Sequence, residues 1–140
     1  ALPICTIKDL TDELKPHGYT LKQVSDGFIA EHDDGLINIG IWIMPDNLVD
    51  GTIEHWINTL IHPNESTLFN EAKGVVSSLK AKNLQKFKDS RLLKAEISTW
   101  FAWQKSPGHG LDFFFNEPLI ELNHPNYQSF LRWFKSTFNV

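Results

Sequence analysis

The chain has 140 residues, of which 43 are Leu, Ile, Val or Phe: enough for a packed core, and too many for a disordered chain. Thirteen basic residues face 17 acidic ones, a net charge of -4 that argues against blanket attraction to nucleic acid. No stretch approaches about 18 consecutive apolar residues, so a membrane-spanning helix is excluded, and no basic-then-apolar leader opens the chain. Ala1 in first position is expected of a processed chain or an excised fragment. Cys5 is the only cysteine, which rules out an internal disulfide framework and suits a reducing cytoplasm. The expectation is one cytoplasmic domain over residues 1–140, with no membrane partner.

The first predicted element is a helix opened by Thr6 and the acid Asp9, carrying the i, i+4 pair Leu10 and Leu14 and stopped by Pro16-His17-Gly18. Residues 28–32, the turn Asp33-Asp34-Gly35 and residues 36–44 read as a strand, a tight turn and a longer strand. The near-continuous apolar run in 36–44 predicts a central strand covered on both faces, as in α/β proteins rather than half-solvated antiparallel sheets. Pro45 ends it. Ile53, Trp56, Ile57, Leu60 and Ile61 mark one face of a helix over 52–61.

After the break at 63–66 the spacing predicts a helix to about residue 82, with Leu68, Ala72, Val75, Val76 and Leu79 inward. Another spans 91–105 and ends at Ser106-Pro107-Gly108. Residues 111–122 are ambiguous: Phe113-Phe114-Phe115 and 119–122 are each compatible with strand. Asn123-His124-Pro125 reads as a cap with Pro in the first helical position, leading a last helix whose predicted buried face is Tyr127, Phe130, Leu131, Phe134 and Phe138. Trp100 and Trp133 are expected to share a core between the last two long helices. The fold class is therefore α/β, a small sheet with helices on both faces and a helix-rich C-terminal half.

Three carboxylates at spacings of four, Asp46, Asp50 and Glu54, follow the predicted strand, where ligands of open α/β sheets bind. Oxygen donors of this kind suit magnesium. The same residues also have structural readings: Asp46 forms a turn, Asp50 caps a helix, and Glu54 complements the positive helix end. None of the six histidines lies in a zinc-binding helical pattern, and surface or hinge roles are expected of them. Lys94 shares a helical stripe with Ile97, Trp100 and Phe101, and either snorkels or reaches a phosphate. Lys80, Lys82, Lys86, Lys88, Arg91 and Lys94 cluster with only Asp89 among them, a solvated face or a contact for a nucleic-acid backbone.

The segment Trp42-Ile43-Met44-Pro45-Asp46-Asn47, followed by Gly51-Thr52-Ile53-Glu54, carries a resemblance. So do Lys94-Ala95, Thr99-Trp100, Ala102-Trp103-Gln104, Pro107-Gly108 and Trp133. Together they resemble the C-terminal part of an uncharacterised prokaryotic family with a Toprim-like fold, the metal-binding module of topoisomerases, primases and OLD-type nucleases. The resemblance spans about residues 18–138. It implies magnesium-dependent phosphoryl transfer on nucleic acid, with Asp46 and Glu54 as counterparts of accessory acids, Asp50 an outer ligand and Lys94 a phosphate contact. The principal Toprim acids, a Glu after a first strand and an Asp-x-Asp after a later one, have no counterpart in residues 1–40. The chain is thus expected to be the C-terminal portion of a longer protein and incomplete as a catalyst. The alternative, suggested by the aromatic C-terminal third, is a non-catalytic domain that binds another protein.

Overall fold

The computed structural model describes residues 3–108, 114 and 118–140, with side chains from residue 6 onward. It is mixed α/β. Among the described residues five α-helices, α1 (Pro3–Leu14), α2 (Ile53–Leu60), α3 (Ser66–Ala81), α4 (Leu92–Ala102) and α5 (Pro125–Phe138), accompany three strands, β1 (Tyr19–Gln23), β2 (Phe28–His32) and β3 (Ile39–Ile41). The chain divides into two compact units, one of residues 1–56 with 122–140 and one of 57–121.

The first unit holds the sheet, in the order β1-β2-β3 with both pairings antiparallel. Leu21 lies opposite Ala30, and Ala30 opposite Ile39. The central strand is β2, whose Phe28, Ile29 and Ala30 are buried. This corrects the expectation of a buried central strand over 36–44. Only Ile39–Ile41 pairs, at the sheet edge, and Ile37 is 86% exposed. The flanking backbone bonds to side chains instead of to a strand: the Tyr19 hydroxyl donates to Ile37 O, and the Ile43 N–H donates to Asn47 Oδ1. A continuous apolar run fixes neither length nor burial when its ladder bonds are diverted in this way.

Helix α5 crosses β3 where Gly40 leaves room: a Cβ there would stand 2.7 Å from Thr137 Cγ2 and 3.0 Å from the Trp133 ring. Its buried residues are Trp133 and Thr137, with Phe130 half-buried. Phe134 and Phe138, expected inside, are exposed and cover each other at 4.8 Å between ring centroids. An aromatic i, i+4 pair can satisfy itself on an outer face, so aromatic spacing alone misassigned the buried stripe.

In the second unit α3 packs on α4 through Phe69 and Trp100, and Phe101 and Phe114 complete an aromatic cluster around Trp100. Trp100 is fully buried and Trp133 is 6% exposed, as expected of both. Trp100 belongs to the cluster of the second unit and Trp133 to that of the first. Ile61 and Ile120 form an isolated antiparallel bridge, while the expectation for Phe113 and Phe115 falls outside the described residues.

Candidate functional site

In the first unit three chain segments enclose a cavity of about 190 Å³: the β1–β2 turn, the loop after β3 and the first turns of α5. Asp26, Trp42, Asp46, Asn47, Asn126 and Ser129 contribute to its wall. The turn closes with the Val24 N–H donating to Gly27 O at 2.9 Å. Asn47, in the left-handed region at φ 66°, receives the Ile43 N–H on Oδ1 at 2.7 Å and donates from Nδ2 to Asp26 O at 3.0 Å. One amide side chain thus fastens the two loops together.

Asp26 ties the same turn to α5. Arg132 donates from Nε to Asp26 Oδ2 at 3.0 Å and from Nη2 to Oδ1 at 2.8 Å, a two-bond fork, and from Nη2 to Ser129 Oγ at 3.0 Å. The Arg132 hydrogen bond holds the Asp26 carboxyl below its ordinary range, and Asp26 correspondingly raises the guanidinium. Neither residue stood out in the sequence. They lie 106 positions apart, and no local pattern links them.

Asp46 takes the turn-forming role: its Oδ1 accepts the N–H groups of Leu48 at 3.0 Å and Val49 at 3.1 Å. These bonds fix the loop with Leu48 79% and Val49 53% exposed. Asp50 is exposed before α2, and the cap expected of it falls to Thr52 and His55. The Thr52 N–H donates to His55 Nδ1 at 3.1 Å, with Thr52 Oγ1 also 3.1 Å from that nitrogen, while the His55 N–H donates to Thr52 O at 3.0 Å. Glu54 is half-buried in the first turn of α2. Among the described residues no group of three His, Cys, Asp or Glu side chains is arranged to hold a metal ion. Lys94 is exposed on α4 and lines, with Phe87, Arg91 and Ala95, an open depression of about 370 Å³ in the second unit.

The histidines have a pattern that their spacing did not reveal. Nδ1 of His32, His55, His62 and His124 accepts a backbone N–H, from Asp34, Thr52, Asn64 and Asn126 respectively. Each ring therefore serves as an acceptor at a turn or helix start.

Comparison with known proteins adds one match. The family model described as "Protein of unknown function (DUF3226)" covers residues 5–139. No curated protein and no solved structure matches the chain.

Proposed function

The chain belongs to this family of unknown function, and we propose that it acts as a non-catalytic protein-interaction domain that adds a partner's extended segment to the β3 edge. The observation that carries the reading is Ile37, 86% exposed on a backbone held by the Tyr19 hydroxyl 3.2 Å from its carbonyl. Leu36 at 59% and Ile39 at 38% extend the apolar surface, and residues 35–45 contain no charged side chain. Uncharged apolar edges are what sheets normally blunt with Lys or Pro, because they template pairing with another chain. Holding Ile37 in place before contact lowers the ordering cost of binding.

The competing reading, a magnesium-dependent phosphoryl-transfer module on nucleic acid, would use Asp46, Asp50, Glu54 and Lys94. It draws less support. One Asp46 oxygen already accepts two loop amides, and the three acids form no three-donor group.

A photo-crosslinking side chain at position 37, introduced in the source cell, tests the proposal. A discrete protein adduct is expected, and it should disappear when Leu36→Lys is added. The absence of any adduct, or an adduct that survives Leu36→Lys, would overturn it.

A further inference from the structure

The α3–α4 connection concentrates charge of one sign. Residues 80–94 hold six basic side chains and one acid in a chain whose net charge is -4. The lone acid is turned to bracing the connection. Asp89 Oδ2 accepts from Lys80 Nζ at 2.6 Å and Oδ1 from Gln85 Nε2 at 2.8 Å, while Gln85 also donates to Phe87 O at 2.9 Å. Lys80 and Gln85 hold the Asp89 carboxyl below its ordinary range, so the brace stays ionised. Among the described residues Lys82, Lys86, Lys88 and Arg91 take part in no ion pair, and all four are exposed.

Apolar side chains stand among these cations. Helix α3 ends in a left-handed Asn83 at φ 55°, whose N–H donates to Lys80 O while that of Leu84 donates to Leu79 O, a Schellman closure. That closure ordinarily tucks the following apolar residue against the helix, yet Leu84 is 60% exposed. Leu92 is 36% exposed at the start of α4, and half-buried Phe87 lines the depression between Arg91 and Lys94.

We propose that this connection is a peripheral docking surface for anionic phospholipid, with Lys82, Lys86, Lys88 and Arg91 on the headgroups and Leu84 inserted among them. The charge alone would suit any polyanion. The exposed leucine decides between them, because an aliphatic side chain gains from the acyl boundary and gains nothing from a phosphate backbone. Aromatic stacking, which single-stranded nucleic acid would require, has within residues 80–94 only the half-buried Phe87 to use. No described helix is long and apolar enough to cross a membrane, so the contact is one of surface, and it departs from the sequence's expectation of no membrane partner.

Flotation of the intact chain with phosphatidylcholine vesicles, with and without phosphatidylglycerol, tests the assignment. Binding is expected only with phosphatidylglycerol and should weaken as salt is raised. Lys86→Gln with Lys88→Gln should reduce it about thirtyfold. Leu84→Ser, which keeps the charge, should reduce it about tenfold as well. Both variants change exposed side chains, and an unchanged thermal melt confirms that they fold. Three results would overturn the proposal: no flotation at low salt, a Leu84→Ser variant that floats like the parent, or tighter binding to a single-stranded oligonucleotide that Leu84→Ser leaves untouched.

Discussion

The two aromatic clusters solve the same problem with different materials. In the first unit the Trp133 indole N–H donates to Phe28 O at 3.0 Å, and the ring occupies space left by two glycines. A Cβ on Gly27 would stand 2.5 Å from Trp133 Cδ1, and Gly40 is nearly as close. In the second unit the Trp100 indole donates to Glu65 Oε2 at 3.1 Å, an oxygen that also receives Gln104 Nε2. Trp133 is thus fitted to main chain, and Trp100 to side chains. A side chain can relax around a change; a paired strand cannot do so without moving its neighbours.

The largest test of this contrast removes each ring. Trp100→Ala and Trp133→Ala should each cost about 3–5 kcal/mol, read from the urea midpoint. Filling the glycine space comes next. Gly40→Ala should destabilise by about 1–3 kcal/mol, because its Cβ collides with Thr137 and Trp133. Gly74 of α3 has nothing within 4 Å of its Cβ position, so Gly74→Ala should stabilise by about 0.5–1 kcal/mol through helix propensity alone. A Gly40→Ala variant as stable as the parent would remove the fit of Trp133 to main chain that sets the first cluster apart.

The smallest effect belongs to the Asp26–Arg132 pair, which ties the turn beside Gly27 to α5. Arg132 is 60% exposed, so solvent screens the pair and keeps its contribution small. The Asp26 carboxyl is depressed below 3.8 in the folded chain. Its contribution is therefore present above about pH 4 and is lost as pH falls through the lower folded value. Asp26→Asn should flatten the acid limb of the stability profile below pH 4 and leave its shape near pH 7 unchanged.

The helices were legible because their period was carried by several residues each: Ile53, Trp56, Ile57 and Leu60 place α2 within a residue of its ends. The sheet was not. β1 has no apolar run to announce it, and the run over 36–44 promised a strand that side chains of Asn47 and Tyr19 cut short. Such bonds depend on distant geometry, which a periodicity cannot carry. The same division holds at the site. Asp46 bonds amides two and three positions ahead, so its turn-forming reading was available from neighbours alone. Asp26 finds its partner 106 positions away, and nothing near either residue points to the other.

The histidine acceptors have a consequence for ionic strength. A ring that receives an N–H on Nδ1 does so through a lone pair, whereas an Asp in the same place would act partly through its charge. Added salt screens charges and leaves neutral hydrogen bonds in place. The turn after β2, the starts of α2 and α5, and the one-turn helix Pro63–Glu65 are all fastened in this salt-indifferent way. Electrolyte should therefore loosen the Arg132–Asp26 and Lys80–Asp89 ties first, and the boundaries of the secondary structure last.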